Sequence, residues 1–276
     1  MREPDSQFAE INGLRVHFKR GGHGPPVVLL HGSGSSLYHF DRVSTRLSES
    51  FEVIRLDLPG FGLTGPRGDR DYRVTTYAST LARFLSAIGV SHCAVVGNSL
   101  GGNVAWNLAL DHPEFVSALV LINATGYPEK TLPAGIRLAR NPFVRPLLRR
   151  WMPKRAIERS LRSAVGPRSQ VVSDEMVARA VRLMNRAGNR SAFIDVANTI
   201  QPDRSREIAR ITKPTLVLRS LRVDGQHFSR DIRGAKERVH PDAGHLLPEE
   251  DPTWVSEEIE TFLGTLGVRQ VDGAPQ

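Results

Sequence analysis

Residues 97–102 read G-N-S-L-G-G and directly follow the apolar run C-A-V-V at 93–96. A short apolar run bounded by glycine is typical of a buried strand. Gly97 and Gly101 carry no Cβ, so the backbone segments at a sharp strand-to-helix turn can approach each other closely there. Such a turn would raise Ser99 above the end of its strand. Because a G-x-S-x-G sequence also occurs by chance in ordinary turns, its meaning depends on the rest of the chain.

The segments around this turn alternate between strand and helix patterns. The dipeptide Asn12-Gly13 between two apolar runs predicts a β-hairpin. The run P-P-V-V-L-L at 25–30 is continuously apolar, which is typical of a parallel strand buried on both faces. We therefore predict an α/β protein with a doubly wound, mostly parallel sheet. Further strands are expected at 51–56, 94–96, 119–122, 215–218 and 236–240, with helices at 76–88 and 103–110.

The alternation of strands and helices stops after residue 123. From 127 to 210 the spacing of apolar residues is helical, and prolines divide the segment into short helices. A crossover connection of this length is uncommon in a compact domain. We therefore interpret residues 126–210 as a helical cap, inserted into an α/β core formed by residues 1–125 and 211–276.

Two rows of apolar residues run along the first part of this segment with a spacing of four. They are Phe143, Leu147 and Trp151, and Val144, Leu148 and Met152. We predict that the first row lines a substrate pocket, and packing of the helix against the sheet explains the same row equally well.

The 276 residues are enough for one large domain, and a composition of 40% hydrophobic and 24% charged residues is ordinary for a globular protein.

The charge of the chain is unevenly distributed. The net charge of +8 is concentrated between residues 127 and 168, which contain eleven Lys or Arg against Glu129 and Glu158. Such a segment can attract an anionic partner: a lipid surface, a nucleic acid or an acidic substrate. We favour a solvated helical surface instead, and we expect no nucleic-acid partner.

Three further features concern the cellular compartment. Cys93 is the single cysteine, so the chain cannot form an internal disulfide. The N-terminal residues M-R-E-P-D-S-Q are polar and contain no apolar signal region. No apolar run approaches the ~18–20 residues that would cross a bilayer. We expect a cytoplasmic protein without a membrane span.

A second glycine-rich segment, H-G-S-G-S-S at 31–36, follows the predicted strand at 25–30. Gly32 and Gly34 allow the backbone to turn the N–H of Ser33 inward. The N–H of Leu100, at the start of the helix after Ser99, would point into the same space. Two such donors can form an oxyanion hole. His31 lies directly at the strand end, and we interpret it as holding the loop.

The candidate general base is His245, in P-D-A-G-H-L-L-P at 241–248. A serine hydroxyl is a poor nucleophile at neutral pH and needs a base. His245 follows the predicted strand at 236–240, so it would lie at the same edge of the sheet as Ser99. We interpret the other histidines as surface or structural residues: His17, His23, His39, His92, His112, His227 and His240.

Taken in order, four motifs resemble the α/β-hydrolase fold family, in its serine esterase and C–C hydrolase branch. They are H-G-S-G-S-S (31–36), D-L-P-G-F-G-L-T-G-P (57–66), G-N-S-L-G-G (97–102) and D-A-G-H-L (242–246). The resemblance covers about 8–265, and N-P-F-V-R-P-L-L-R-R-W-M-P (141–153) is similar to caps of that branch. It implies an eight-stranded sheet and no metal or organic cofactor. Serine at position 99 argues against dehalogenase or epoxide hydrolase chemistry, since those relatives carry aspartate there.

The acid of the expected triad departs from the family pattern. The family usually has a turn like W-G-x-x-D after the strand predicted at 215–218, whereas this chain has R-S-L-R-V-D-G-Q-H at 219–227. Asp224 is the best candidate, and Asp231 is the fallback. Asp-Gly is also a common turn pair, so Asp224 has a purely structural interpretation. Asn123 occupies the position where some relatives carry the acid, and it cannot be charged.

The resemblance implies a serine hydrolase that cleaves carboxylic esters through an acyl-enzyme. Ser99, His245 and Asp224 would form the triad, Ser33 and Leu100 the oxyanion hole, and Leu246 part of the pocket for a small-molecule ester. The alternatives are a C–C bond hydrolase of meta-cleavage products, a lactonase, or a non-hydrolytic ligand-binding member of the fold. C–C hydrolases typically carry tryptophan at the position of Leu246, and a carboxylate substrate would need a cap arginine such as Arg186 or Arg190.

Overall fold

A computed structural model of the chain describes residues 3–128 and 134–267. Its centre is one eight-stranded sheet with the order β1-β2-β4-β3-β5-β6-β7-β8. β1 pairs antiparallel with β2, and β2 with β4, while all other neighbours are parallel. The predicted doubly wound, mostly parallel sheet is therefore confirmed. The strands are β1 (Gln7–Ile11), β2 (Leu14–Gly21), β3 (Pro26–Leu30), β4 (Glu52–Leu56), β5 (Cys93–Asn98), β6 (Val116–Ile122), β7 (Thr215–Ser220) and β8 (Lys236–His240).

Helices cover both faces of this sheet. Short 3₁₀ helices occupy Leu37–Phe40, Pro113–Phe115 and Ser205–Arg210. The α-helices are α1 (Asp41–Leu47), α2 (Val74–Ala87), α3 (Leu100–Asp111), α4 (Ala134–Arg140), α5 (Arg145–Arg150), α6 (Lys154–Ala164), α7 (Asp174–Met184), α8 (Asn189–Asn198), α9 (Phe228–Asp231), α10 (Leu247–Glu250) and α11 (Pro252–Thr265).

The continuous apolar run of β3 is explained by burial on both faces. Val28 and Leu30 belong to the hydrophobic cluster shared with α2 and α3. Val27 and Leu29 belong to the cluster shared with α1 and α11. All four side chains are fully buried. Such a strand has no polar face, as expected for a parallel sheet that lies between two helical layers.

The predicted hairpin at Asn12-Gly13 is confirmed. These two residues connect β1 to β2, and Ile11 pairs with Leu14 across the turn. Both residues have positive φ, 52° for Asn12 and 75° for Gly13. Asparagine and glycine tolerate this conformation better than other residues, which is why the dipeptide favours a two-residue hairpin.

Helices α4–α8 lie between β6 and β7, and we call them the inserted helices. No strand occurs in the described residues 123–128 and 134–214. The inserted helices pack onto the sheet through Leu148 and Ile194, which join the same hydrophobic cluster as α2 and α3. The division into a core and a cap remains a prediction, and its limits include residues outside the described ranges.

The start of α3 is packed directly against the backbone of β3 and β5. A Cβ on Gly101 would lie 2.0 Å from the carbonyl oxygen of Leu30. A Cβ on Gly97 would lie 2.3 Å from the carbonyl carbon of Gly101. Real Cβ atoms do not approach other atoms this closely, so both positions require glycine. The two glycines of the G-N-S-L-G motif therefore set the distance between the helix and the sheet.

Buried Asp57 connects three segments near the strand ends. His17 of β2 donates from Nδ1 to Asp57 Oδ2 at 2.7 Å. The backbone N–H groups of Leu37 and Leu63 donate to the same carboxylate at 2.8 and 2.7 Å. Burial alone would raise the pKa of Asp57, but the bond from His17, the neighbouring imidazoles and the N–H of Leu63 hold it below its ordinary value. His17 is therefore a structural residue, as predicted.

His31 holds the loop that follows β3. Its Nδ1 donates to the carbonyl of Gly32 at 2.8 Å, and its Nε2 accepts from the N–H of Leu58 at 3.0 Å. The ring is fully buried, and burial lowers its pKa to about 4. A neutral imidazole with one donor and one acceptor fits both bonds. The structural role predicted for His31 is confirmed by these contacts.

Because the backbone is so closely packed at this turn, we predict that one methyl group added at Gly97 strongly destabilises the folded protein. Gly97→Ala should lower the free energy of unfolding by about 1–3 kcal/mol, because the methyl group collides with the start of α3. Gly68→Ala is the matched control, since nothing lies within 4 Å of the added Cβ there. Urea denaturation measures both. Equal stability of the two variants would contradict this account.

The low pKa of His31 predicts a loss of stability on acidification. The unfolded chain binds a proton at His31 near pH ~6.5, and the folded chain does so only at about 4. Stability is therefore complete above pH ~6.5 and falls by up to about 3 kcal/mol as the pH drops towards 4. In His31→Gln this part of the pH dependence should disappear, whereas the exposed control His92→Gln should retain it. Urea midpoints across this range test the difference, and parallel curves for all three proteins would refute it.

Candidate active site

A cavity of about 570 Å³ lies between the carboxyl ends of the strands and the inserted helices. Open α/β sheets bind ligands at this edge. The structure brings five predicted site residues together on the wall of this cavity: Ser33, Ser99, Leu100, His245 and Leu246. They come from the loops after β3, β5 and β8.

Ser99 has a strained backbone conformation at the junction of β5 and α3. Its φ and ψ are 55° and −114°, outside the regions that non-glycine residues ordinarily adopt. The N–H of Ser99 donates to Ile122 O at 3.0 Å, and its carbonyl accepts from Asn103 and Thr125 at 3.0 and 3.1 Å. These bonds hold the strained peptide in place. The hydroxyl makes no capping bond to α3, so it remains on the cavity wall.

The loop after β3 passes very close to Ser99. A Cβ on Gly32 would lie 3.1 Å from the Cβ of Ser99. Glycine at this position therefore lets the backbone just before Ser33 pass beside Ser99 without a side chain in between. Leu100 begins α3, and the first N–H groups of a helix have no partner within it. The first turn of α3 contains no acidic side chain that would compensate its positive end.

The loop that carries His245 is held by amide and hydroxyl groups under the cavity. Asn98 donates from Nδ2 to the carbonyl of His245 at 3.2 Å. Ser220 donates from Oγ to the carbonyl of Gly244 at 2.6 Å, and Asn123 donates to the same carbonyl at 3.2 Å. All three donors are buried. These three donors fix the backbone at His245. Nothing in the sequence alone indicates that they have this role.

The same loop is bonded to the inserted helices. The N–H of His245 donates to the carbonyl of Ala164, the last residue of α6, at 2.6 Å. The carboxylate of Glu250 accepts from Gly244 N–H at 2.8 Å and from Gly166 N–H at 2.7 Å. The position of His245 is therefore coupled to the end of α6. Glu250 was not recognised from the sequence, although E-E-D-P directly follows the histidine motif.

Asp224 lies in the loop between β7 and α9, and its side chain is exposed. The fallback candidate Asp231 lies on α9 and is occupied elsewhere. It accepts from the hydroxyl of Tyr127 at 2.9 Å and from Arg230 at 2.6 Å. The bond from Arg230, and then that from Tyr127, lowers the pKa of Asp231. Asn123 uses its amide to donate to Ser220 and to the carbonyl of Gly244.

The prediction that the first apolar row lines the substrate pocket is wrong. Phe143, Leu147 and Trp151 are 91%, 57% and 61% exposed, and none of them lies on the cavity wall. Leu148 and Met152, from the second row, line the cavity instead. The two rows have the same spacing, so the sequence did not distinguish the inner face of this segment from its outer face.

One wall of the cavity is polar and was not predicted. His39 donates from Nδ1 to Glu249 Oε1 at 2.7 Å, and both residues line the cavity. Beside them the guanidinium of Arg179 lies 5.0 Å from the centre of the Tyr38 ring. His39 is buried, in agreement with its interpretation as a structural residue, and it also contributes to the cavity surface.

The arginines on the cavity wall are Arg140 and Arg179 among the described residues. The candidates suggested by the sequence, Arg186 and Arg190, do not lie on it. Arg190 donates to the carbonyl of Arg149 and to the side chain of Asn185. Sequence position alone is therefore a poor guide to which guanidinium reaches the cavity.

Metal-binding clusters and membrane-crossing helices are both absent from the described residues. No group of three or more His, Cys, Asp or Glu side chains in residues 3–128 and 134–267 is arranged to hold a metal ion. None of the helices in these residues has the length and apolarity required to cross a membrane.

Comparison with known proteins agrees with this fold. Over 91% of its length the chain is 32% identical to a 2-hydroxy-6-oxononadienedioate/2-hydroxy-6-oxononatrienedioate hydrolase of Paraburkholderia phymatum, covering 91% of that protein. It is 29% identical to a soluble epoxide hydrolase of Corynebacterium sp., over 94% of this chain and 96% of that one. The structure of Est816, described as an N-acyl homoserine lactone degrading enzyme, aligns with a TM-score of 0.75 at 25% identity, covering 93% of this chain and all of the other. Residues 25–252 match the family model described as alpha/beta hydrolase fold. The chain therefore belongs to the alpha/beta hydrolase family.

Proposed function

We propose that this protein is a serine hydrolase that cleaves carboxylic esters through an acyl-enzyme. One observation carries the proposal: Ser99, held at φ 55°, lies on the wall of the same cavity as His245. Backbone strain of this kind costs free energy and is concentrated at functional sites. Membership of the family and the names of the similar proteins support hydrolase chemistry.

In the proposed reaction, the Ser99 hydroxyl attacks the acyl carbon of the ester and transfers its proton to the imidazole of His245. The tetrahedral intermediate then collapses, and the alcohol leaves with that proton. A water molecule, deprotonated by His245, attacks the acyl-enzyme and releases the carboxylic acid. Serine is regenerated, so the net reaction consumes one ester and one water.

The oxyanion of each tetrahedral intermediate would accept from the N–H groups of Ser33 and Leu100. Donors of this type contribute about 3–4 kcal/mol each to transition-state stabilisation. The Gly32 contact with Ser99 supports this role for the loop after β3, since a larger residue would separate the two. The positive end of α3 adds a favourable field at the same point.

We assign the triad acid to Asp224. Its carboxylate would accept from the second ring nitrogen of His245, orient the ring and stabilise the imidazolium. The proposal is supported by the engagement of Asp231 with Tyr127 and Arg230, and by the use of Asn123 as a backbone clamp.

The cavity favours an apolar acyl substrate of moderate size. About 570 Å³ is in the range of ordinary small-molecule sites. Trp106, Leu148, Met152, Met176 and Phe193 contribute to the wall. The inserted helices would act as a cap that excludes water from the acyl group.

C–C bond hydrolysis is the second candidate, because the Paraburkholderia relative carries the name of a hydrolase of that class. The resemblance implies tryptophan after the histidine in that group, whereas this chain has Leu246. The similarity to an epoxide hydrolase has less weight, since the resemblance implies aspartate in place of Ser99 there. Turnover of nitrophenyl esters, compared with that of a 2-hydroxy-6-oxo-dienoate, separates the first two candidates.

Removal of the nucleophile should abolish ester turnover. Ser99→Ala should lower kcat/KM for nitrophenyl acetate and butyrate by a factor on the order of 10⁴ or more. A fluorophosphonate should label the peptide that contains Ser99 in the unmodified protein. The control Ser91→Ala alters an exposed serine remote from the cavity and should leave the rate unchanged. Absence of both serine-dependent turnover and labelling would favour a ligand-binding protein on this fold.

The acid assignment predicts a large effect of a single isosteric change. Asp224→Asn should lower kcat by about 10²–10⁴-fold with little change in KM, because asparagine neither orients the required tautomer nor stabilises the imidazolium. Asp231→Asn is the matched control and should affect stability more than rate. The reverse pattern would transfer the acid role to Asp231, and an unchanged rate in both variants would leave the enzyme without either acid.

A further inference from the structure

Four large apolar side chains on and beside α4 and α5 are exposed to solvent. Phe143, Leu147 and Trp151 follow one another at a spacing of four, and Trp151 and Leu147 are joined by a helical backbone bond of 2.8 Å. Leu138, at 45% exposure, precedes them on α4. Helical spacing of four places side chains on the same face. We call Leu138, Phe143, Leu147 and Trp151 the apolar patch.

The apolar patch is surrounded by positive charge. The described residues 134–168 contain a single acidic side chain, Glu158, which pairs with Arg162. Arg145, Arg150 and Lys154 are exposed, and no carboxylate of the described residues pairs with them. α5 has six residues and is therefore only about 9 Å long. This is close to one Debye length at physiological ionic strength, so these cations act at the patch itself.

We propose that the apolar patch and its cations dock on an anionic phospholipid surface. Exposed tryptophan, phenylalanine and leucine next to arginine and lysine are the combination that binds at the boundary of headgroups and acyl chains. Each nearby cation adds to the attraction towards anionic headgroups. A nucleic acid would account for the arginines, but it would leave Leu138 and Leu147 exposed to water without a partner. The anionic bilayer accounts for both parts of the surface.

Docking would place the cavity at the membrane surface. The conclusion drawn here about the substrate rests on the proposed ester hydrolysis. Leu138 is exposed in the apolar patch and also lines the cavity. Leu148 and Met152, adjacent in sequence to Leu147 and Trp151, line the cavity from the inner side. A docked protein would therefore hold the cavity next to the layer into which apolar esters partition. The substrate class that follows is an ester delivered from a membrane.

Sedimentation with vesicles tests the proposal without any measurement of turnover. The full chain should co-sediment with vesicles of phosphatidylcholine mixed with phosphatidylglycerol, and much less with phosphatidylcholine alone. Ser99→Ala should bind equally well, so a failure of the proposed chemistry leaves this result readable. The double variant Phe143→Ser/Trp151→Ser should bind at least about ten-fold more weakly. The double variant Arg145→Glu/Arg150→Glu should show a similar loss that is specific to anionic vesicles.

Matched controls alter side chains of equal exposure away from the apolar patch. Leu221→Ser removes an apolar side chain that is 61% exposed in the loop after β7, and Arg83→Glu reverses an exposed charge on α2. Both should bind like the unmodified protein. Absence of sedimentation with anionic vesicles, or an equal loss in the controls, would overturn the proposal. Self-association that is abolished by Phe143→Ser/Trp151→Ser, without vesicle binding, would assign the patch to a contact between copies of this chain.

Discussion

The contact between the start of α3 and the backbone of β3 is the constraint on which the site depends. Gly101 lies so close to the Leu30 carbonyl that no side chain fits between them, and Gly97 is equally close to the backbone of Gly101. With both ends fixed, the residue between them takes a positive φ although it is not glycine. The strain at Ser99 is thus a consequence of packing, and the surrounding backbone bonds maintain it. Without this contact the serine could relax, and its hydroxyl would leave the cavity wall.

A second constraint is formed by hydrogen bonds that join the backbone of His245 to β5 and to α6. Asn98, which precedes the serine, also donates to the carbonyl of His245. The proposed base is therefore held by the residue that directly precedes the proposed nucleophile in the chain. The bond from His245 N–H to Ala164 extends this network to α6. A displacement of the end of α6 would therefore act directly on the backbone of His245, the proposed base.

The fold was predictable because its signals are local in the sequence. Continuous apolar runs, the Asn12-Gly13 turn and the glycines around Ser99 each reflect a requirement that acts within a few residues. The site was predictable only in part. His39 and Glu249 are 210 residues apart and form a pair only through the tertiary structure. The bonds that hold His245 come from amide and hydroxyl groups whose roles depend on which carbonyl lies nearby.

The error in the pocket has a different physical origin. An amphipathic pattern reveals the buried face of a helix only when the other face is polar. Around α5 both faces are apolar: Leu148 faces inward and is 7% exposed, while Phe143 is 91% exposed. Apolar side chains on the outer face raise the free energy of the folded chain in water. The position of this segment in the most basic part of the chain adds repulsion between like charges. Both costs are reduced by the same environment, an apolar layer behind a negative surface. The feature that misled the prediction of the pocket is therefore the strongest physical reason to regard this face as a binding surface.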